Sequence, residues 1–357
     1  MLATKETLLR DLKTLCDLPG PSGREEKVAA HLVREIEKLG LSYTVDSLGN
    51  VITSIGKKEK PRLLICGHMD EVGFLVLKVG KTGLIEAKPV GGVMMDALPN
   101  VRVKLVTRKN KVLHGCINGV PPHLANETMN ASLTFDFGFS SQKDATKAGV
   151  AIQDIIVFDE PFVKLDGGKR FLAKAIDDRY GCCLGLNILK EYVNKQEQLN
   201  CHLSIAFSVQ EEVGTRGIAP IVRQAKPDIC FIVDASPARD GFSGKSVEGE
   251  LDKGVLIRYL DRGQIFYRPL LEWQMKKCEE LEIPYQMYYS PGGTDSVVVH
   301  KELSGVYSLV HGICLRNIHS ASGLASSTDL FNAYKVLNLM VRSVDEDFLL
   351  FLKSGGM

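Results

Sequence analysis

The chain has 357 residues, and its 44 Lys and Arg nearly balance 43 Asp and Glu, which leaves a formal net charge of +1. With 45% hydrophobic and 24% charged residues, the composition excludes disordered and collagen-like chains. The charge balance gives no electrostatic reason to expect nucleic acid or a membrane surface as a partner. No apolar run approaches the roughly 18 residues that a membrane-spanning helix needs.

The nine cysteines are an odd number without a CxxC pair, and several lie inside apolar runs. Cysteines of this kind are typical of a reducing compartment and not of a disulfide framework. The N-terminal segment carries acidic and basic side chains and lacks the apolar core of a secretory signal. We therefore expect a cytoplasmic location.

The first 71 residues predict two helices, two short strands and one buried strand. Apolar residues at 8, 9, 12, 15 and 16 share one helical face, and the Pro- and Gly-rich segment 19–23 ends that helix. A second helix is predicted over 25–39. LSYTVDSLGNVITSIG predicts two strands around an Asn/Gly turn, and RLLICGHMD predicts a buried strand that ends abruptly in polar residues.

The next part of the chain consists of short apolar segments separated by Gly and Pro, such as GFLVLKVG, NVRVKLVT and DIIVFDE. Short strands at regular spacing predict a small all-β unit. We therefore expect an inserted β domain over 72–164. Residues 1–71 and 165–357 would then form one α/β domain around the insertion.

Beyond the insertion, predicted helices and strands alternate, as in the helix RYGCCLGLNILKEYVNK, the strand LSIAFSVQEE, the helix RGIAPIVRQAK and the strand DICFIVDAS. This alternation predicts parallel strands with helices on both faces of the sheet. The segment PLLEWQMKKCEELE predicts another helix, and YQMYYS and VYSLVHGICL predict strands. Residues 326–354 predict one long amphipathic helix.

Histidines and carboxylates follow several of these strands. Sites in open α/β sheets form at the carboxyl ends of strands. The candidates there, or at the start of the next helix, are His68, Asp70, Asp177, Glu211, Glu212, Asp234 and His319. Each alone is typical of a loop residue or a helix cap, but together they would gather negative charge that needs cations. Imidazole and carboxylate ligands without Cys suit Zn, Co or Mn and argue against a structural zinc site.

Two spacings add detail to this metal-site hypothesis. Asp70 lies two residues after His68, and on extended chain the two side chains point the same way, so Asp70 can orient the imidazole as a ligand. Glu211 and Glu212 are adjacent and therefore diverge. One of them can bind a cation while the other acts as general base on a water molecule.

The segments GHMDEVGF, KAIDDRYG, QEEVGTRG, IVDASPA, GGTDS and RNIHS follow one another along the chain, with PGPSGREE near the start and PPHL at 121–124. This set resembles the landmarks of the M42 metallopeptidases, which are co-catalytic aminopeptidases related to the tetrahedral (TET) and glutamyl aminopeptidases. The resemblance covers nearly the whole chain. It implies a zinc-peptidase-like α/β fold, with a mixed sheet covered by helices on both faces and an inserted small β-barrel used for dimerisation.

The resemblance also implies a set of metal ligands. His68 and Asp234 resemble ligands of one divalent ion, and Glu212 and His319 resemble ligands of a second. Asp177 resembles the carboxylate that bridges the two ions. Two divalent ions per subunit are therefore expected, with Zn or Co favoured and Mn left open.

By the same resemblance, Glu211 is the general base and Asp70 is the partner of the first histidine ligand. Asp177 and Asp178 are expected to be joined by a cis peptide bond. Members of the family commonly assemble as dodecamers built from dimers, so self-association through the inserted domain is expected.

These observations predict a dinuclear metal-dependent aminopeptidase that hydrolyses N-terminal residues from peptides. The alternatives are a related amidase or deacylase acting on N-acyl amino acids, a glycoside hydrolase, and a non-catalytic assembly protein. The single tryptophan, Trp273, offers no aromatic platform for a polysaccharide. The preferred N-terminal side chain stays open. We also expect Arg179 to hold a carboxylate by a bidentate contact, and the glycine turn 292–295 to lie near the substrate or to be an ordinary turn.

Overall fold

The structure is a computed structural model that describes residues 3–119, 133–241 and 248–356, so the PPHL segment at 121–124 lies outside the described residues. The helices are α1 (Lys5–Asp17), α2 (Glu26–Lys38), α3 (Gln142–Ala148), α4 (Ile176–Tyr192), α5 (Ile218–Ala225), α6 (Arg268–Glu280), α7 (Ser296–Val299), α8 (Ser327–Arg342) and α9 (Glu346–Lys353). The strands are β1 (Tyr43–Val45), β2 (Val51–Ile55), β3 (Arg62–His68), β4 (Gly73–Val79), β5 (Ile85–Val90), β6 (Arg102–Val106), β7 (Val112–Ile117), β8 (Thr134–Asp136), β9 (Ile155–Phe158), β10 (Val163–Leu165), β11 (Arg170–Ala173), β12 (His202–Ser208), β13 (Ile229–Val233), β14 (Ser236–Pro237), β15 (Val255–Leu260), β16 (Tyr285–Tyr289), β17 (Tyr307–Gly312), β18 (Cys314–Leu315) and β19 (Gly323–Ser326).

The central sheet has eight strands in the order β1-β2-β12-β3-β13-β17-β15-β16. Strands β12, β3, β13 and β17 are parallel, whereas β2 and β15 run antiparallel to the strands of this group that they flank. Consecutive residues of β3 and β13 are buried. Because successive side chains of a strand point to opposite faces, both faces of the sheet centre are covered. The predicted mixed α/β fold is confirmed.

A closed antiparallel barrel interrupts this domain between Gly73 and Phe158, with the strand order β4-β5-β8-β7-β6-β9. Its interior is a hydrophobic core separate from that of the sheet. The ring centroid of Phe74 lies 4.9 Å from that of Phe135 and 5.8 Å from that of Phe158. Edge-to-face aromatic packing of this kind fills the barrel interior.

One helix of the insertion and one strand of the sheet were missing from the sequence analysis. In α3, Ala145 is the one buried residue, so the segment has no apolar periodicity; Ser141 caps its start, and Gly149 at a φ of 101° ends it. In β15, Arg258 interrupts the apolar run Val-Leu-Ile-Arg-Tyr-Leu. The charged side chain therefore concealed a strand whose first four residues are buried.

The prediction of one long helix over 326–354 is wrong. Helix α8 ends at Arg342, and α9 begins a separate helix three residues after Ser343. The reason is a capping residue inside the apolar pattern, because Asp345 adopts an extended conformation and its side chain accepts a hydrogen bond of 2.8 Å from the Phe348 amide. Among the described residues, no helix is both long and apolar enough to cross a membrane.

Candidate active site

The predicted site residues meet at the carboxyl ends of β3, β12 and β13, beside the start of α4. His68 ends β3, and Asp234 follows β13 directly. Glu212 lies in the turn after β12, and Asp177 lies in the first turn of α4. His319 reaches the same place from the loop after the short strand β18. Residues that are far apart in sequence thus form one cluster, as the strand endings predicted.

Asp177 is the centre of this cluster. Its Oδ1 lies 3.1 Å from His68 Nε2, and its Oδ2 lies 3.3 Å from His319 Nε2. His319 Nε2 is also 3.2 Å from Glu212 Oε2. The two oxygens of one carboxylate therefore face two imidazoles that come from different segments. Asp234 completes the cluster, because one oxygen each of Asp177, Asp178 and Asp234 lie within 4.8 Å of one another.

The carboxylates of the cluster have strongly perturbed acidities. Burial, and then the neighbouring Asp177 carboxylate, raise the pKa of Glu212 to about 8 and that of Asp234 to about 8. Burial opposes ionisation of Asp177 as well, but its hydrogen bonds with His319 and His68 outweigh burial and hold the pKa of Asp177 below its ordinary value. The site concentrates more negative charge than the protein itself neutralises.

The donor atoms fit divalent cations. Glu212 Oε1 is buried without a hydrogen-bond partner in the described part of the chain, although buried carboxylate oxygens are normally paired. His68, Asp177 and Glu212 offer ligand atoms within 4.8 Å of one another, and so do Asp177, Asp178 and Asp234. Nitrogen and oxygen donors of this kind match first-row divalent metals such as Zn, Co and Mn.

Asp70 connects His68 to the turn that carries the two glutamates. Its Oδ1 lies 3.3 Å from His68 Nδ1 and accepts a hydrogen bond of 3.0 Å from the Glu211 amide. Its Oδ2 accepts bonds of 3.1 Å from the Glu212 amide and 2.6 Å from the Ser22 hydroxyl. The buried carboxylate therefore contacts an imidazole and accepts hydrogen bonds from two backbone amides at once.

Asp178 was not predicted to take part in the site, apart from the cis peptide bond to Asp177, which is present. Its Oδ2 accepts a hydrogen bond of 3.0 Å from the His68 amide. A Cβ at Gly67 would stand 2.7 Å from the backbone carbon of Gly181 and 2.9 Å from Asp178 Oδ2. Glycine at position 67 is therefore required for this close approach of α4 to β3.

Arg179 does not make the predicted bidentate contact. One nitrogen, Nη2, lies 3.2 Å from Glu71 Oε1, and the others donate to backbone carbonyls, including Met69 at 2.7 Å and Leu15 at 2.6 Å. The guanidinium instead ties helix α1 to the segment that follows β3.

A cavity of about 180 Å³ opens in front of the cluster, and it is lined by His68, Asp177, Glu211, Glu212, Asp234, His319, Ala235, Pro237, Arg258, Ser290, Gly292, Gly293 and Ile318. Gly292 and Gly293 therefore border the cavity. Arg258 is a member that the sequence analysis missed, because its charge concealed the strand that carries it. It is 2% exposed, donates a bond of 2.6 Å to Ser236, and its Nε has no partner among the described residues.

Burial raises the pKa of Glu211 well above its ordinary value, and among the neighbouring carboxylates Asp234 contributes most to this rise. Glu211 borders the cavity directly, beside the residues that could hold cations. The site thus combines a concentrated ligand set, a carboxylate that can exchange a proton, and a cavity that can admit a small group.

Comparisons with known proteins agree with this arrangement. A family model described as M42 glutamyl aminopeptidase matches residues 49–336. The glutamyl aminopeptidase of Lactococcus lactis subsp. cremoris is 31% identical over 356 residues, which cover 97% of this chain and 99% of that relative.

Two solved structures extend the comparison. A TET aminopeptidase from a marine sediment archaeon of the Thaumarchaeota has a TM-score of 0.90 at 30% identity, over 96% of this chain and 99% of that chain. The TET1 peptidase of Pyrococcus horikoshii, which can assemble into a tetrahedron or a large octahedral shell, has a TM-score of 0.84 at 29% identity, over 94% of this chain and 100% of that chain. The chain therefore belongs to the M42 peptidase family and is an aminopeptidase, a hydrolase of peptide bonds.

Proposed function

We propose that the chain is a dinuclear metal-dependent aminopeptidase that releases N-terminal residues from peptides. The observation that carries the proposal is the position of Asp177, whose two oxygens face His68 at 3.1 Å and His319 at 3.3 Å. A carboxylate shared in this way suits a bridging ligand between two cations. His68 and Asp234 would hold one cation, and Glu212 and His319 would hold the other.

Two divalent cations at this place would polarise the scissile carbonyl and lower the pKa of a water molecule. Glu211 borders the same cavity and is not needed as a ligand. It takes the proton of the attacking water and returns it to the leaving amine. Asp70 fixes the backbone of Glu211 and the ring of His68, so it positions the base relative to the metal ligands. Zn or Co is favoured, and Mn is compatible with the donor set.

An acidic N-terminal side chain is the best match to the cavity. Arg258 borders the cavity, and its buried Nε lacks a hydrogen-bond partner within the described residues. Asp261 Oδ2 lies 3.5 Å from Nη1, so one acid faces this cation already, but at long range. A substrate carboxylate would complete the hydrogen bonding of Arg258. The name of the Lactococcus lactis relative, glutamyl aminopeptidase, is consistent with this preference.

The structure does not favour a glycoside hydrolase. Trp273 stacks on Phe348 with ring centroids 4.2 Å apart and does not line the cavity. A deacylase would use the same ligands but would bind a substrate without a free amine. A non-catalytic assembly protein would not need the predicted base and ligands, all of which are present.

We further propose that the barrel domain over 72–164 mediates dimerisation and that dimers assemble into a dodecamer. The tetrahedral and octahedral assemblies of the Pyrococcus horikoshii relative support this proposal. All nine cysteines are free thiols, which supports a reducing compartment such as the cytoplasm.

The test uses chelator-treated protein to which Zn, Co or Mn is added back singly. Its substrates are Glu-, Asp-, Lys- and Leu-p-nitroanilides, short peptides and N-acetyl amino acids. We expect metal-dependent release from free-amine substrates, fastest with Glu or Asp, and a loss of about 10²–10⁴-fold in Glu211→Gln. Glu26→Gln, an exposed substitution, is the control. Release from N-acetyl substrates alone would instead identify a deacylase, and no release with any metal would overturn the peptidase proposal.

A further inference from the structure

The segment 20–25 precedes α2 and bonds to the polar residues that follow β3. Ser22 donates its hydroxyl to Asp70 Oδ2 at 2.6 Å. Gly20 and Glu71 exchange two hydrogen bonds, each of 3.0 Å. This segment, which we name the N-terminal clasp, therefore contacts the chain directly after β3. Its last residue, Glu25, reaches further, to the turn that carries the proposed base.

Glu25 is 5% exposed, and its Oε1 accepts hydrogen bonds of 2.8 Å from the Gly23 amide and 3.0 Å from the Gln210 amide. Burial, and then the charge of Asp70, raise the pKa of Glu25 to about 7. A carboxylate is costly to bury, so its position between two backbone amides calls for a reason.

Helix capping does not supply that reason. Glu25 occupies the position before the first residue of α2, where a side chain normally bonds to the free amides of the helix. Among the described residues, its side chain makes no such capping bond. It turns away from its own helix and bonds to Gln210, which is 185 residues distant in sequence.

Gln210 is the residue before Glu211, and it has a left-handed φ of 55°. Such a conformation is unfavourable for a residue with a side chain and persists only where neighbours hold it. On the downstream side, the turn is closed by its own backbone, because Glu211 O accepts bonds of 2.8 Å from the Gly214 and Thr215 amides. On the upstream side, Glu25 holds the Gln210 amide, and Asp70 holds the next amide.

We propose that Glu25 is a positioning residue that fixes the backbone of Gln210 and thereby aims the Glu211 carboxylate at the reacting water. The inference rests on the proposed function, in which Glu211 is the base. Glu25 touches neither the cavity nor the metal ligands, so it acts on proton transfer through the backbone. What it supplies is an acceptor at the correct distance, and its charge is not required.

Two substitutions of Glu25 separate the effect of side-chain length from the effect of charge. Glu25→Gln keeps an oxygen at the position of Oε1 and removes the charge, whereas Glu25→Asp keeps the charge and withdraws the oxygen by one methylene. We expect Glu25→Gln to keep kcat within about threefold and Glu25→Asp to lose on the order of tenfold to hundredfold in kcat. In both variants, KM should change less than about twofold, and the bound metal should be unchanged. Glu26→Asp, on the exposed next residue, is the matched control.

Two further measurements exclude a merely structural role. In the Glu211→Gln background, Glu25→Asp should cause no additional loss of kcat, because the two residues act as a unit. Hydrogen exchange should accelerate over residues 205–216 in Glu25→Asp but not in Glu25→Gln. Equal losses in the two variants, multiplicative losses in the double variant, or unchanged exchange would overturn the proposal. Full activity of Glu211→Gln alone would instead overturn the assignment of the base.

Discussion

His68 and His319 face the same carboxylate, Asp177, but the protein holds the two rings by different means. His68 is 3% exposed, and its Nδ1 lies 3.1 Å from the backbone carbonyl of Asp70 and 3.3 Å from the buried carboxylate of the same residue. The side chain of His319 is 31% exposed, and its Nδ1 lies 3.0 Å from the backbone carbonyl of Gly92. Both Nδ1 atoms therefore face a backbone carbonyl, but that of His68 also faces a buried carboxylate within the sheet domain. The carbonyl that faces His319 belongs to the loop after barrel strand β5.

This difference divides the site into a core half and a barrel half. The core half forms where β3 meets α4, since Asp178 holds the His68 amide. The barrel half depends on a contact between two loops, because the Met94 amide also donates to the carbonyl of His319 at 3.1 Å. We therefore expect the proposed cation at His68 to be bound more tightly than the one at His319. Displacements of the barrel should affect the His319 half first.

Asp177→Asn should abolish cation binding in both halves of the site. The substitution weakens the carboxylate that both rings share, so both cations should be lost together. Loss of an outer partner typically costs about tenfold to hundredfold in affinity or activity, and loss of a shared ligand should cost more than about a hundredfold. Metal content after gel filtration and kcat with saturating Co²⁺ measure this. Retention of one tightly bound ion would show that Asp177 does not bridge.

Asp70→Asn should affect the core half. The substitution removes the charge and replaces one of the two acceptor oxygens, which face His68 and the amides of Glu211 and Glu212, with an NH2 donor. We expect an affinity loss of about tenfold to hundredfold for the first cation, with a smaller effect on the second. A stepwise Co²⁺ titration followed by visible absorption resolves the two sites. Asp347→Asn, an exposed change in α9, is the control, and equal weakening of both sites would contradict the division into halves.

The side chains of both halves were predictable, but the contact that orients His319 was not. Apolar runs that end in polar residues placed His68, Glu211, Glu212, Asp234 and His319 at one edge of the sheet, because parallel strands bring their carboxyl ends together. Contacts between loops follow no such periodicity. The Gly92 carbonyl that holds His319 carries no sequence signal, since any residue has a carbonyl.

Arg258 and Glu25 were missed for related reasons. Arg258 lies in a strand that its own charge concealed, and Glu25 precedes a helix, where an acidic residue is expected without any further role. Their partners, Ser236 and Gln210, are distant in sequence. Only the folded chain reveals that Arg258 borders the cavity and that Glu25 bonds to the turn that carries Glu211.

Gly92→Ala should affect the barrel half with a smaller effect. A Cβ at this position would stand 3.2 Å from His319 Nδ1, so the ring would have to shift by a few tenths of an ångström. We expect the affinity for the second cation to fall by less than about tenfold, the smallest loss that removal of a ligand's partner typically causes. The affinity for the first cation should not change. The same Co²⁺ titration measures this. Gly241→Ala is the control, because its Cβ would meet Arg316 at an ordinary 3.6 Å.

His311 is a third histidine, and its ring contacts no acidic side chain among the described residues. Its substitution should have the smallest effect on activity. It is fully buried in β17, 2.8 Å from the Ala333 carbonyl and 3.2 Å from Gln274. Burial lowers the pKa of His311 to about 4 from its ordinary 6.5. Between these values the unfolded chain binds a proton that the folded chain excludes, so the contribution of His311 to stability is complete above about pH 6.5 and declines as the pH falls towards 4.

We therefore expect wild-type protein to lose up to about 3 kcal/mol of unfolding free energy from this residue over that range. Urea unfolding at several pH values, compared with His311→Gln, isolates the contribution, because the carboxylates titrate alike in both proteins. The variant should be less stable at neutral pH, since it loses a fitted ring, but its pH dependence between 4 and 6.5 should be shallower. Parallel curves would show that His311 takes up its proton without unfolding. In that case burial alone would not determine whether a histidine of this fold is protonated. The difference between His68 and His319 would then follow from the groups that their rings contact.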